Sequence, residues 1–342
     1  MSTFAVRMQP RREDASPFPS ASGDSCVELQ CPECRTNLGV ISASALSTCG
    51  EALCCPKCSM ELQRERCIWN ALPARRRRYY ERFMREYEAV RTSEGRGSDD
   101  PAFYLALPHK DLTRRHRWQW KIRSRSYRYI ERNILPELER GQNRSLTLLD
   151  LGAGNGWLSY RLALRGHFSV AVDLLTNAFD GLGAASHYLA VLPSLFPRFQ
   201  AEVDRLPFAS GQFDCAFFNA SFHYSESYSR TLGEVIRCLR PHGTIVIADS
   251  PWYSSEEFGQ RMLRERQKDF QDRFSFPSDG LSSCEYLTDK RLAALEVKFD
   301  LDWKVHQPWY GFRWAMRPWV AKWKHKREPA QFRIYTTEVP SR

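Results

Sequence analysis

The chain has 342 residues, of which 42% are hydrophobic, and a formal net charge of +10. This content supports one domain of about 200 residues and one or two smaller modules, which excludes a fully disordered chain. The apolar runs are strand-sized, far short of the roughly 20 residues that a membrane-spanning helix needs, so we expect a soluble protein without a membrane span.

Residues 1–25 are polar and rich in proline and serine, and they lack the apolar core of a signal peptide. We therefore predict a disordered tail there. The chain has 11 cysteines, eight of them between Cys26 and Cys67. An odd number of cysteines without an export signal argues against a secreted disulfide framework, and it predicts a reduced, cytoplasmic protein with metal-bound thiolates.

Residues 26–72 are predicted to form a small zinc ribbon. Cys31 and Cys34 form one C-x2-C pair and Cys55 and Cys58 another, a pattern typical of a structural zinc site. Four thiolates complete a closed tetrahedron and leave no position for a catalytic water. We expect the ribbon to fold as a module independent of the larger domain. No role is assigned to the remaining cysteines of this segment, Cys26, Cys49, Cys54 and Cys67.

Residues 73–145 are predicted to form a basic helical linker or cap. The spacing of apolar residues predicts an amphipathic helix over 74–92 and a second helix over about 111–138. We interpret the aromatic stripe of the first helix as core, with a base-stacking platform as the alternative. Arginines crowd one side of the second helix. This helix either lines a surface that binds an anionic partner or simply covers the edge of the sheet ahead of the first strand.

The charge is unevenly distributed along the chain. Residues 61–145 carry a net charge of +9 and residues 304–342 a net charge of +7, whereas residues 146–303 carry −5. Two interpretations stay open. The basic segments contact an anionic partner such as nucleic acid or acidic lipid headgroups, or they form a solvated, arginine-rich surface.

From residue 146 onward, strands alternate with helices, the pattern of a doubly wound, mainly parallel α/β sheet. The first strand runs into a loop with three alternating glycines. Trp157 stands where a dinucleotide-binding loop would have its third glycine, and no Gly-Lys-Ser/Thr follows as in a phosphate-binding P-loop. Strands are predicted at 146–151, 168–174, 199–203 and 243–250, a fourth in chain order is predicted within 212–224, and a final one within 332–338.

The segment Asp150-Leu-Gly152-Ala-Gly154-Asn-Gly156 resembles the first motif of class I S-adenosylmethionine (SAM) dependent methyltransferases. The resemblance implies a seven-stranded Rossmann-like sheet over 146–342 and SAM as the cofactor. Glycines let the backbone turn tightly and approach a ligand, and the helix that follows presents free N–H groups to the cofactor carboxylate. Asp150 is placed to hold the ammonium side of the cofactor.

Two further segments carry the resemblance. The second strand ends in Asp173, whose carboxylate can accept hydrogen bonds from both ribose hydroxyls. The segment Asp204–Phe208 resembles the family's Asp-x-Leu-Pro-Phe sequence, in which Asp204 would receive the adenine amino group. Leu174 and Leu206 would then sandwich the adenine ring. The cofactor-binding residues implied are Asp150, Gly152, Gly154, Gly156, Asp173, Leu174, Asp204, Arg205, Leu206 and Asn219.

These motifs are similar to those of the broad subfamily that includes quinone-biosynthesis methylases. The ribbon ahead of them resembles, more weakly, zinc-ribbon methyltransferase activators and certain ribosomal RNA guanine methylases. The Asn-Pro-Pro-aromatic motif of exocyclic amine methylation is replaced by Asn219-Ala-Ser-Phe222. We predict a small organic acceptor, with RNA as the alternative. A non-enzymatic protein that binds SAM or a partner is a further alternative.

The sulfonium methyl of SAM is already activated, so such an enzyme mainly aligns the acceptor and excludes water. His223 and Tyr224 follow the fourth strand and are the candidate catalytic residues. His223 is the candidate base because its ordinary pKa lies near neutrality, although a histidine that only hydrogen-bonds in the loop fits equally well. The tryptophan- and lysine-rich residues 307–338 cap the acceptor pocket, contact RNA or pack on the sheet. The sequence does not indicate an oligomeric state.

Overall fold

The computed structural model describes residues 26–42 and 52–341. The predicted N-terminal tail and Cys49 lie outside these residues. The strands of the described residues are β1 (Cys26–Gln30), β2 (Asn37–Ser42), β3 (Ala52–Cys54), β4 (Glu61–Glu65), β5 (Ile68–Asn70), β6 (Thr147–Leu151), β7 (Phe168–Asp173), β8 (Arg198–Gln200), β9 (Phe213–Asn219), β10 (Leu239–Ala248), β11 (Lys304–His306) and β12 (Ile334–Glu338).

The helices of the same residues surround these strands. The α-helices are α1 (Ala74–Ser93), α2 (Pro101–Ala106), α3 (Arg117–Tyr129), α4 (Leu135–Glu139), α5 (Trp157–Leu164), α6 (Tyr228–Cys238), α7 (Glu256–Phe274), α8 (Asp289–Phe299), α9 (Phe312–Ala315) and α10 (Arg317–Trp323). A π-helical turn, Ile130–Ile134, joins α3 to α4, and 3₁₀ segments occupy Leu182–Ala190 and Phe222–Tyr224. Within the described ranges, no helix is long and apolar enough to cross a membrane.

The main sheet has the strand order β11-β12-β10-β9-β6-β7-β8-β5-β4-β3, and β1 and β2 form a separate antiparallel hairpin. Strands β10, β9, β6, β7 and β8 run parallel to one another, whereas β12 is antiparallel to both β10 and β11. Parallel neighbours need crossover connections, which the intervening helices provide. The sheet from β6 onward is therefore the predicted doubly wound, mainly parallel one.

The sheet is wider than the predicted seven strands, because three strands of the N-terminal segment join it. β5 pairs in parallel with β8, with Trp69 opposite Phe199 and Asn70 opposite Gln200. β4 and β3 then continue the sheet in antiparallel pairing. An edge strand exposes unpaired N–H and C=O groups, and β5 satisfies those of β8. Among the described residues the sheet thus has ten strands.

Two apolar clusters cover the two faces of the sheet. Successive side chains of a strand point to opposite faces. Accordingly, Leu148 of β6 packs with Leu158 of α5 in one cluster. Leu149 lies in the other cluster with Leu232 of α6 and Leu292 of α8. Helices on both faces bury the central strands, as a parallel sheet requires.

The N-terminal segment packs on the larger domain and shares its core. Val27, Leu29 and Trp69 are buried in the same cluster as Leu149. The backbone N–H of Gln30 donates to the carbonyl of Pro207 at 3.0 Å, and the N–H of Ala209 donates to that of Glu28 at 2.9 Å. The guanidinium of Arg35 forms a two-pronged ion pair with Glu234 at 2.7 and 2.8 Å.

The two predicted helices of the middle segment form, with different starts and ends. α1 extends one residue beyond the predicted 74–92. The second helix begins at Arg117 and not near Asp111. The Asp111 carboxylate accepts N–H groups of Thr113 at 3.0 Å and His116 at 2.7 Å, which holds a turn in place of a first helical turn. The short helix α2, capped by Asp100, was not predicted.

Candidate active site

A cavity opens at the carboxyl ends of β6, β7 and β9, where the chain turns to opposite sides of β6. In open α/β sheets this position binds ligands. We call it the strand-end cavity. Most of the predicted cofactor residues line it, namely Asp150, Gly152, Gly154, Asp173, Leu174, Asp204 and Asn219.

Gly152 occupies a position that excludes any side chain. Its φ of +70° lies in the left-handed region, and a Cβ added there would lie 2.3 Å from Cβ of Ser221. Ser221 is itself held in place because its hydroxyl donates to the carbonyl of Leu151 at 2.5 Å. The loop after β6 and the loop after β9 therefore touch at Gly152.

Gly152→Ala is expected to weaken SAM binding by tenfold or more, because the added methyl displaces Ser221 from the cavity wall. Gly211→Ala is the matched control, since Gly211 has a φ of +72° but no atom within 4 Å of its added Cβ. Left-handed strain costs each variant about 1–2 kcal/mol of stability. Calorimetric titration separates the two effects, and equal SAM affinity in both variants would contradict the prediction.

Asp173 and Asp150 end adjacent strands with different surroundings. The Asp173 carboxylate accepts hydrogen bonds from the N–H groups of Gly154 and Leu175, both at 2.8 Å. Burial raises the pKa of Asp173, although these two hydrogen bonds act to lower it. Asp150 accepts both the hydroxyl of Ser159, at 2.8 Å, and its N–H, at 3.2 Å. Burial raises the pKa of Asp150 to about 7. A cation bound beside Asp150 would favour its ionised form.

Three predicted cofactor residues do not line the cavity. Leu206 is fully buried in the core beneath the sheet, so it cannot sandwich a ring, and Val203 lines the cavity instead. Arg205 points outward between Glu33 and Glu202, at 3.6 and 3.7 Å. Neither residue therefore belongs to the wall of the strand-end cavity.

Gly156, the third of these residues, begins α5 in the left-handed region with a φ of +75°. Its absent side chain faces Phe196, at 2.9 Å from an added Cβ, and not the cavity. Gly156 is therefore required for the turn and for the packing of α5. It does not line the strand-end cavity.

Helix α1 supplies a wall of the cavity that the sequence did not indicate. Tyr80, Phe83, Tyr87 and Arg91 line it. The hydroxyl of Tyr80 donates to the buried Glu202 at 3.1 Å, which ties the helix to the end of β8. Tyr80, Phe83 and Tyr87 belong to the aromatic stripe that we interpreted as core, whereas Arg91 lies outside that stripe.

A second, larger cavity of about 1000 Å³ adjoins the first. We call it the large cavity. The C-terminal segment lines it through Trp314, Arg317 and Phe332, so this segment caps a pocket. The end of the same segment packs in the sheet as β12, as one of the alternatives predicted, whereas Trp309, Trp319 and Trp323 are exposed by 61%, 71% and 79%. Residues shared by the two cavities are Tyr87, Arg91, Arg123, Ala220 and Tyr224.

Comparison with known proteins is consistent with this site. Residues 149–247 match the family described as methyltransferase domain. Malonyl-[acyl-carrier protein] O-methyltransferase of Buchnera aphidicola is 23% identical over 143 residues, which cover 41% of this chain and 54% of the relative. A solved SAM-dependent methyltransferase of Thermotoga maritima, described as a possible histamine N-methyltransferase, is 14% identical with a TM-score of 0.40; the match covers 77% of this chain and 99% of that one. The chain carries a SAM-dependent methyltransferase domain.

The similarity is partial beyond this domain. The chain spans 37% to 54% of the length of the curated relatives it matches. The solved YcgJ protein of Bacillus subtilis has a TM-score of 0.44 at 14% identity, and the match covers 61% of this chain and 98% of that protein.

The two candidate catalytic residues of the methyltransferase domain occupy different places. Tyr224 lines both cavities, whereas His223 lines only the large one. The Nδ1 atom of His223 lies 3.4 Å from the hydroxyl of Ser250, and burial lowers the pKa of the imidazole to about 4. Burial raises the pKa of Tyr224. At neutral pH both groups are uncharged, and His223 is a weak base.

The four predicted metal ligands come together at the turns that follow β1 and β3. Their sulfur atoms all lie within 4.8 Å of one another. Cys31 and Cys58 are 3.5 Å apart, and Cys34 and Cys55 are 3.4 Å apart. Zinc–sulfur bonds of about 2.3 Å imply sulfur separations of about 3.8 Å, so four thiolates at these distances fit a zinc ion.

The two cysteine turns have the same backbone geometry. The N–H of Arg35 donates to the carbonyl of Cys31 at 2.8 Å, and the N–H of Ser59 donates to that of Cys55 at 2.9 Å. Arg35 and Ser59 both have positive φ angles, of 65° and 57°. Each turn thereby brings its two sulfurs to one side. Cys26 and Cys54 are exposed and lie outside the four-sulfur cluster.

Proposed function

We propose that this protein transfers a methyl group from SAM to a small organic molecule. The observation that carries the proposal is the junction of the two cavities at Tyr87, Arg123 and Tyr224. A donor in the strand-end cavity would meet an acceptor in the large cavity at this point. The volume of about 1000 Å³ is in the range of small-molecule sites.

The residues at the strand ends fit SAM as the donor. Each oxygen of Asp173 accepts one backbone N–H and has a further lone pair for a ribose hydroxyl. Asp150 would hold the amino group, and Asp204 the adenine amino group. Leu174 and Val203 would flank the adenine ring. SAM supplies an activated methyl, so these residues need only orient the donor and exclude water.

The four-cysteine cluster supports a structural zinc, which we propose as a second bound group. All four sulfurs belong to the chain, which leaves no position for a substrate. This zinc would hold together the two cysteine turns that follow β1 and β3, and it would take no part in methyl transfer.

RNA is the alternative acceptor, and the exposed tryptophans of the C-terminal segment favour it. They lie among the basic residues of 304–342, and aromatic side chains next to cations can stack on bases and contact phosphates. Against it, arginines of the other basic segment are engaged within the chain. Arg76 pairs with Glu202 at 2.7 Å, and Arg144 pairs with Asp214 at 2.6 Å.

Transfer of tritium from methyl-labelled SAM decides between the acceptors. We expect label in a low-molecular-mass extract and none in total RNA. Any RNA affinity should fall steeply between 50 and 200 mM salt, because counterion release dominates such binding. Label in RNA would replace the proposed acceptor class. Absence of label from both fractions, in protein that binds SAM by calorimetry, would support the non-enzymatic alternative.

A further inference from the structure

Arg123 of α3 lies where the strand-end cavity and the large cavity meet. Its guanidinium lies over the ring of Trp120, with 5.0 Å between the guanidinium carbon and the ring centroid. Among residues 26–42 and 52–341, no hydrogen bond or ion pair engages this guanidinium. The other arginine at the junction, Arg91, differs because it is paired with Asp180.

The surroundings of Arg123 make an unpaired cation costly. Burial lowers its pKa, and the positive charges of Arg91 and Arg96 add to this effect. Asp249 is the acidic group that faces it from the end of β10, but its carboxylate is hydrogen-bonded to Ser126 and forms no ion pair with Arg123. A half-buried cation without a hydrogen-bonding or ion-pair partner, at the wall of a cavity, is a candidate to bind a ligand anion.

The large cavity as a whole would attract an anion. Its lining contains seven lysine or arginine side chains and two carboxylates. Glu265 is paired with Arg261 and Arg327, at 3.1 and 2.5 Å, and Arg91 and Arg96 are paired with Asp180 and Glu94. Among the described residues, the cations of the lining without an ion pair are Arg123, Arg317 and Lys326. Like-signed charge in a low-dielectric cleft raises the local concentration of the opposite charge. The cations are Arg91, Arg96, Arg123, Arg261, Arg317, Lys326 and Arg327.

We propose that Arg123 binds a carboxylate of the acceptor and that this carboxylate is the group methylated. The inference rests on the proposed function and names its substrate class. A carboxylate oxygen forms the new bond to the methyl carbon while the carbon–sulfur bond of the donor breaks, with its electron pair left on sulfur. The products are a methyl ester and S-adenosylhomocysteine, and no proton is released.

The absence of proton release matches the groups at the junction. Burial raises the pKa values of Tyr87 and Tyr224, so neither is ionised near neutral pH. The nearby His223 has its pKa lowered to about 4. An alcohol or phenol acceptor would need a base to take its proton, whereas a carboxylate is already ionised. Arg123 is thus a binding and positioning residue for a nucleophile that needs no activation.

The test uses the full-length protein, tritiated SAM and a low-molecular-mass extract. Half of the extract is first treated with a carbodiimide and ammonium, which converts carboxylates into amides. We expect label in the untreated half, released as volatile methanol by mild alkali as methyl esters require, and at least tenfold less label in the amidated half. Label that is stable to alkali would overturn this inference and leave the proposed function standing. Failure to label any small molecule would instead overturn the proposed function.

Variants of α3 connect this chemistry to Arg123. Arg123→Gln should lower ester formation at least tenfold while the dissociation constant of SAM changes less than threefold, because the charge contacts the acceptor. Its melting temperature should fall by only a few degrees at most, since no ion pair is lost and only the contact with the Trp120 ring is removed. Arg128→Gln is the matched control, because Arg128 is exposed on the same helix, and it should behave as the wild type. Undiminished ester formation by Arg123→Gln would overturn the assignment, and Arg123→Lys should restore part of the activity if charge is what matters.

Discussion

Asp173→Ala is expected to weaken SAM binding by one to two orders of magnitude. Charge-assisted hydrogen bonds contribute about 1.5–3 kcal/mol each, and about 1.4 kcal/mol corresponds to a tenfold change in affinity. Asp173 lines the strand-end cavity and would contribute two such bonds to the ribose. The variant also loses the acceptor of the Gly154 N–H, so we expect a modest fall in melting temperature as well.

Asp111→Ala is the control for that structural part. Asp111 is also a buried carboxylate that accepts backbone N–H groups, from Thr113, Arg114 and His116, but it lies outside the strand-end cavity. The Asp111→Ala variant should have a lower melting temperature and an unchanged affinity for SAM. Calorimetric titration and thermal melting of both variants are required. If Asp173→Ala behaved like Asp111→Ala, Asp173 would be a structural carboxylate and its role in cofactor binding would be wrong.

Cys34→Ser is expected to abolish zinc binding and to lower the melting temperature by about 10 °C or more. Structural zinc sites contribute several kcal/mol to folding, and each kcal/mol shifts the melting temperature by roughly 2–4 °C in a domain of 150–250 residues. We also expect weaker SAM binding. β5 pairs with β8, and the chain then enters α1, which forms a wall of the strand-end cavity.

Cys54→Ser is the matched control, because Cys54 is exposed and lies outside the four-sulfur cluster. It should retain one zinc per chain by elemental analysis, the wild-type melting temperature and the wild-type SAM affinity. Zinc retained by Cys34→Ser would refute the ligand set. Zinc lost with unchanged SAM affinity would show that the N-terminal segment acts as the independent module that its sequence suggested.

Several features of this protein follow from local sequence alone. The alternation of glycines after an apolar strand predicts the turn at Gly152, because a positive φ and a close approach are properties of adjacent residues. Asp173 at a strand end predicts a carboxylate at the carboxyl edge of the sheet. The two C-x2-C pairs likewise predict sulfurs that converge, since each turn is closed within five residues.

Other features depended on which distant segments pack together. The pairing of β5 with β8 joins residues about 130 positions apart, and no local pattern predicts it. Leu206 is buried in the core and Val203 lines the strand-end cavity, and only the packing of the folded chain decides which of the two faces the cavity. The low pKa of His223 and the isolation of Arg123 arise from burial and from charges on other elements. Sequence determined the turns, strand ends and ligand spacing of this protein because their geometry is local; the tertiary structure alone decided burial and charge environment, because they sum over residues far apart in the chain.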